Sequence, residues 1–446
     1  MTNFYLNNML PHDTSSGEKI ISKRDLIWVI MLAFIGLTMN KLPYSNTLSI
    51  LLQSGLIVTI YFFNIRRPVI VIISYIFLNI MPSRLVGGFS ENVASYFTLN
   101  TKNFIVLAIL LWISSYVYKE TGNIRKYNLW LVCFSLFAAL TFVWTASSQY
   151  YYQLWWICVA YVLFPYFINT EDDLKLILFS YFTYVQIFCI SIFPKIATKN
   201  LYRGIIVLDP NFASFTIIIS VVSALIILTR YKNELSKVFK MGLIAGMLFD
   251  VAMMSFFASR TAFLCLAILL IVFMFINIAK IKTIVFTLII TVSSYIALDN
   301  YGYFDSVFIR FSASSLNNPG GRIGIWQDLL FSFGELNFFR LFFGNGFLTA
   351  GMMGTGMQAH NTYLSILVGF GIIGLFFFLG YQLNTLINIF INGFAPYFLF
   401  VACLLIYNFS LEPYLLPEGV VIFSLIGALN SNIPKTMFES HGEKII

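Results

Sequence analysis

The stretch "QAHNTYLSILVGFGIIGLFFFLGYQLNTLINIFI", Gln358 to Ile391, decides the fold. Its apolar part, 361–391, is longer than the ~20 residues that a helix needs to cross a bilayer. Glycines at 369, 371 and 374 interrupt it, and glycine inside a helix is unfavourable by about 1 kcal/mol against alanine. The pattern therefore predicts a short half-helix followed by the true span. His360 stands directly in front. It is the only histidine in the apolar body of the chain, since His12 and His441 lie in polar tails.

The rest of the chain reads the same way. Of 446 residues, 59% are hydrophobic and 10% charged, and the mean hydropathy is +0.84. Ordinary soluble domains do not have this composition. About fourteen apolar segments recur, at 26–39, 46–63, 69–82, 104–118, 129–144, 153–169, 176–194, 212–229, 241–258, 262–279, 283–298, 361–391, 395–411 and 417–430. The expected fold class is an all-α polytopic integral membrane protein with about 12–14 transmembrane helices and one large extracytoplasmic loop. The expected layout is a cytoplasmic tail (1–25), helices one to eleven (26–298), the large loop (299–359), the last helices (360–430) and a second cytoplasmic tail (431–446). No polar stretch is long enough for a separate soluble core.

Lysine and arginine favour one set of loops, which places both termini in the cytoplasm. The formal charge of +8 has the same topological origin, so no nucleic-acid partner is inferred. Cys133, Cys158, Cys189, Cys265 and Cys403 all sit in apolar runs without CxxC spacing, which reads as packing rather than disulfide or metal chemistry. On the outer side this topology leaves two regions, 195–211 and the large loop. Within the loop, "GRIGIWQDLLFSF" puts Ile325, Trp326, Leu329, Leu330 and Phe333 on one helical face, an amphipathic helix suited to a membrane surface. No internal repeat relates the halves.

The chemistry-bearing residues are few. The clustered acids Glu171, Asp172 and Asp173 fall on the cytoplasmic side. No outward DxD, HExxH or Walker loop occurs, so the expected chemistry uses neither metal nor cofactor. The outer side holds Arg203, Arg260 and Arg322. Arginine's planar fork fits phosphate, and several converging would suit a pyrophosphate; singly, each also reads as an interfacial side chain. His360, with an ordinary pKa near 6.5, can serve as a general base at neutral pH or as hydrogen-bonded packing. Asn361 can cap a helix or bind substrate. Asp250 lies mid-span and needs a hydrogen-bonding neighbour, the favoured reading, or a proton-coupling role. Glu412 and Glu418 flank the last two spans, available to an arginine or a sugar hydroxyl.

Four stretches together resemble the O-antigen polymerase and O-antigen ligase superfamily. They are "YRGIIVLDPNFAS" (Arg203, Gly204, Asp209, Pro210, Asn211), "FFASRTAFLCLAILL" (Ser259, Arg260), "GRIGIWQDLL" followed by "LFFGNGF", and "HNTYLSILVGFGIIG" (His360, Asn361, Gly371, Gly374). The similarity covers about 201–391. It implies a GT-C-like membrane glycosyltransferase in the bacterial inner membrane, with its active site facing the periplasm. Its donor is an undecaprenyl-pyrophosphate-linked oligosaccharide, and transfer to a glycan acceptor is inverting and metal-independent. Carried over, His360 activates the acceptor hydroxyl and Arg203 and Arg260 hold the pyrophosphate. Arg322, Asn361, Asp209 and Asn211 contact substrate. Membrane lipids and a chain-length regulator are the implied partners. The high segment count favours a polymerase of repeat units. A ligase transferring glycan to lipid A–core is the alternative, and a lipid-linked oligosaccharide flippase is a third reading, disfavoured by the missing repeat.

Overall fold

In the computed structural model, residues 22–39, 55, 69–77, 128–145, 151–168, 170–198, 210–257, 259–276, 322–347, 349, 359–391 and 395–431 are described. Thirteen α-helices run through them. They are α1 Lys23–Met39, α2 Val69–Tyr75, α3 Leu129–Leu140, α4 Tyr151–Phe167, α5 Glu171–Thr198, α6 Pro210–Arg230, α7 Lys237–Phe257 and α8 Arg260–Ile276. There follow α9 Arg322–Gly334, α10 Phe338–Phe343, α11 Thr362–Ile391, α12 Phe398–Asn408 and α13 Pro417–Ser431. Among the described residues there is no strand. The apolar segments at 104–118 and 283–298, that at 46–63 apart from residue 55, most of both tails and loop residues 299–321 lie outside the described set. Each of the other segments overlaps a helix. Among the described residues four helices, Glu171–Phe193, Asn211–Arg230, Lys237–Phe257 and Thr362–Ile391, are long and apolar enough to cross a membrane.

α6 is the central helix, packed against α5, α7, α8 and α12. Its buried residues include Ala213, Ser214, Thr216, Ser220, Ser223 and Ala224, and small side chains of this kind let neighbouring helices approach closely. The hydroxyls are not left bare: Thr216 and Ser223 donate back to carbonyls four residues earlier, and Ser220 donates across to α7.

The two ends of the bundle differ. At one end Thr170 and Asp173 form a reciprocal capping box at the start of α5. Nearby, Glu171 pairs with Arg230 (3.3 Å), and Lys175 with Glu234 (2.7 Å) and Asp172 (3.3 Å). The clustered acids of the sequence are thus used in one cap (Asp173), one tie between helices (Glu171) and one pair within α5 (Asp172). Tyr231 and Tyr397 share a hydrogen bond at the same end (2.8 Å), which brings α12 alongside α6. The opposite end carries the starts of α6 and α8 and the α12–α13 turn.

α11 contains the feature that organises this second end. Gly371 takes φ +66° and ψ −170°, so the helix breaks there into residues 362–370 and 372–391. The break is a reversal. The Tyr363 hydroxyl donates to Gln382 at 3.2 Å, nineteen residues on, and the Tyr363 and Phe378 rings lie 6.3 Å apart. A straight helix would separate Tyr363 and Gln382 by about 28 Å, beyond the combined reach of the two side chains. The half-helix therefore doubles back beside the long half. Its N-terminus sits roughly 10–15 Å below the turn, judged from the helical rise to Phe378–Gln382. Gly374 meets the Phe370 side chain at the inside of the turn, where no Cβ fits.

Breaking a helix strands its last carbonyls, and burial makes an unpaired carbonyl costly. Here "FFGNGF" supplies the partners. The N–H of Asn345 donates to Val368 O (3.1 Å) and that of Gly346 to Gly369 O (2.8 Å). Backbone can come this close only because Gly344 (φ +76°) and Gly346 (φ +108°) occupy the left-handed region, which favours glycine. The loop is bolted from behind. Arg340 Nη1 donates to Trp144 O (2.6 Å), Trp144 Nε1 to Phe343 O (3.3 Å), and the Phe347 N–H to the Tyr151 hydroxyl (2.9 Å).

Candidate functional site

His360 sits at the recessed tip of the half-helix, half-buried, with φ +46°. Asn361 follows as the N-cap: its side-chain oxygen accepts from the Leu364 N–H (3.1 Å), and its carbonyl receives the Ser365 N–H (2.9 Å). Of the two roles open to Asn361, that oxygen serves as the cap. The α12–α13 turn meets this tip. Thr362 Oγ1 donates to Leu411 O (3.2 Å), and the Glu412 carboxylate accepts from the Ser365 hydroxyl and the His360 backbone N–H. On the other flank Trp326 Nε1 of α9 donates to Ala359 O (2.8 Å).

α9 reaches that position because it is amphipathic in the register expected from its spacing. Ile325, Leu329 and Phe333 are buried with Ala359 and Val368, against Leu364 and Leu367 of the half-helix. Leu330, on that predicted face, is instead half exposed at 49%. At 100° per residue it lies on the edge of the buried sector, next to Ile323. Arg322 is the half-buried first residue of α9.

The second cluster lies where α6 and α8 begin. Ser259 caps α8, its hydroxyl receiving the Ala262 N–H (3.4 Å) while donating to Asn211 Oδ1 (2.8 Å). Arg260 is the next residue, the first of α8, and is half-buried. Asn211 is thus tied to the serine that directly precedes Arg260. Arg203 and Asp209 lie outside the described residues. The α12–α13 segment borders both clusters: Glu412 reaches His360, and Glu418, six residues on, accepts from Thr216 of α6 (2.8 Å). Asp250 is fully buried and accepts from Gln186 (2.9 Å), Ser220 (2.7 Å) and Cys189 (3.8 Å), a tie between α7, α5 and α6.

No protein-family model, curated protein or solved structure matches this chain. The site is therefore read from its own residues. Among the described residues no three His, Cys, Asp or Glu side chains gather as a metal-binding group.

Three residues at the His360 tip carried weak signals or none in the sequence. Trp326 showed only as part of an apolar stripe. Ser365 is one hydroxyl in an apolar run. Glu412 was visible as an acid between two spans, but its partner belongs to a segment some fifty residues earlier. Burial pushes the Glu412 carboxyl up to about 7 from an ordinary 4.5, with the Ser365 and His360 hydrogen bonds pulling the other way. A carboxyl whose folded-state pKa is raised stabilises the fold fully below its unfolded value. That contribution is lost as pH climbs from about 4.5 to about 7, a span worth roughly 3 kcal/mol. Thermal unfolding in detergent should accordingly move to lower temperature across this window in the wild type. Glu412→Gln, which cannot ionise, should show a flatter profile. Parallel profiles for the two would contradict this reading.

Proposed function

We propose that this chain is a polytopic membrane glycosyltransferase that polymerises undecaprenyl-pyrophosphate-linked oligosaccharide repeat units at the outer leaflet of the bacterial inner membrane. The observation that carries the proposal is the placement of a half-buried histidine at the tip of a half-helix that folds back into the bundle. A base at that depth can meet an acceptor hydroxyl away from bulk water while the donor's lipid stays in the bilayer. The long half of α11 supports the membrane setting. Ile372, Phe376, Leu379, Leu383, Ile387 and Phe390 form one apolar stripe, each between 44% and 67% exposed. Soluble monomers rarely leave such a continuous surface bare.

In this reading His360 takes the proton from the acceptor hydroxyl as its oxygen attacks the anomeric carbon of the donor glycan. The bond from that carbon to the pyrophosphate oxygen breaks, inverting the anomeric centre, and undecaprenyl pyrophosphate departs with the electron pair. Negative charge grows on the leaving group, and Arg260, with Arg203, offers the fixed positive charge that favours it. Asn211 and Ser259 hold the start of α8 and hence the Arg260 backbone. Departure of the pyrophosphate drives the step.

The test is elongation by purified, reconstituted protein given lipid-linked repeat units. Wild type should produce a ladder of longer glycans. Arg260→Ala should cut the rate by about a hundredfold, in line with the loss of one transition-state charge partner. Movement of labelled lipid-linked sugar across liposomes with no lengthening would replace this reading with a flippase.

A further inference from the structure

We propose that Trp326 and Glu412 are positioning residues that clamp the peptide joining Ala359 to His360 and so fix where the imidazole stands; the catalytic part of this claim rests on the transferase reading above. The single peptide unit that joins Ala359 to His360 is held through both of its polar groups. Ala359 O receives the Trp326 indole N–H at 2.8 Å, and the His360 N–H donates to the Glu412 carboxylate. Directly after this anchored peptide the histidine holds φ +46°. A left-handed conformation costs a non-glycine residue about 1 kcal/mol or more, and it persists where surrounding contacts over-determine it.

Nothing in the start of the helix demands this arrangement. Asn361 caps the half-helix through Leu364 and Ser365, and Thr362 ties it to Leu411. The indole N–H and the carboxylate are spent on the one peptide that leads into the histidine, directly before the cap. Each anchor is itself fixed. Trp326 belongs to a helix whose neighbours Ile325 and Leu329 are buried against the half-helix. Glu412 is held by Ser365 in the half-helix's first turn. A shift of α9 or of the α12–α13 turn would therefore be transmitted to the histidine directly. Displacing a reacting group by about 1 Å can lower a rate by up to about a hundredfold, so a modest slip at either anchor has a readable effect.

The experiment uses the full-length protein in detergent and a readout that does not require turnover. Diethyl pyrocarbonate acylates neutral imidazole. Peptide mass spectrometry then follows His360 separately from His12 and His441 in the tails. Trp326→Phe keeps the ring and loses only the N–H. It should retain thermal stability within a few degrees yet alter the His360 acylation rate at least about threefold. In the elongation assay kcat should fall about tenfold with KM within about twofold, the signature of a contact that matters in the transition state. Glu412→Ala should move both readouts the same way, and Glu412→Gln, which keeps an acceptor oxygen, should recover most of the loss. Should Glu412→Ala fail to fold, Trp326→Phe decides. Folded Trp326→Phe protein with unchanged acylation and unchanged kcat would overturn the clamp. Altered acylation in a protein whose wild type never elongates glycans would leave the clamp standing and remove the transferase reading.

Discussion

Gly371→Ala is expected to deprive the protein of its folded state in detergent, seen as loss of the monodisperse peak and of a cooperative thermal transition. Two independent penalties meet at this position. The φ of +66° costs an alanine about 1 kcal/mol or more in backbone strain. A Cβ there also overlaps the Phe342 carbonyl and the Gly344 N, both backbone atoms locked in the glycine-rich loop. Neither can withdraw, because the neighbouring Asn345 and Gly346 N–H groups are committed to Val368 and Gly369. The combined cost exceeds the ~1 kcal/mol typical of single substitutions and reaches the rare range above about 4 kcal/mol. Gly242→Ala is the control. It lies in α7 with open space where its Cβ would stand, so the alanine should be neutral or stabilising by up to about 1 kcal/mol. Equal behaviour of the two variants would refute the reversal at Gly371.

That reversal marks where the sequence stops being legible. The over-long apolar run and its glycines foretell a break, because glycine interrupts a helix whatever surrounds it. They do not foretell that the half-helix folds back, since that depends on what receives the stranded carbonyls. The receiver, "FFGNGF", lies some twenty-five residues earlier, and nothing local links the two. Once both are in place, each glycine acquires a separate reason. Gly344, Gly346 and Gly371 hold left-handed backbone, and Gly374 makes room for Phe370. Helix positions elsewhere were readable because apolar periodicity and length settle them from within the segment. α5 even announces its start, with "TEDD" supplying Thr170 and Asp173 as a capping box.

The candidate site was legible only in part, for the same reason. His360, Arg260 and Asn211 stood out as polar residues in an apolar setting. What holds them was not legible: Ser259, Trp326 and Glu412 were visible, but Ser259 bridges Arg260's helix to Asn211 through a contact between helices, and Trp326 and Glu412 reach His360 across long stretches of chain. Side chains that act by holding another residue carry no chemical signature of their own. Asp250 is the converse case. Its charge made it conspicuous, and its partners Gln186, Ser220 and Cys189 give it a tie between three helices.

His360 carries the second large expected effect. Asparagine is the informative replacement, because it tolerates left-handed backbone as histidine does but cannot act as a base. General bases contribute about a hundredfold to ten-thousandfold, so His360→Asn should lower kcat by that range with KM little changed. Its thermal stability should stay within a few degrees of wild type, since the peptide after Ala359 keeps its Trp326 and Glu412 anchors. The decisive measurement is single-turnover extension of a lipid-linked repeat unit by wild type and His360→Asn across pH 5 to 9. The account requires a wild-type rate that exceeds the variant's by about a hundredfold or more across that range. A folded His360→Asn protein that extends the glycan at the wild-type rate would contradict it.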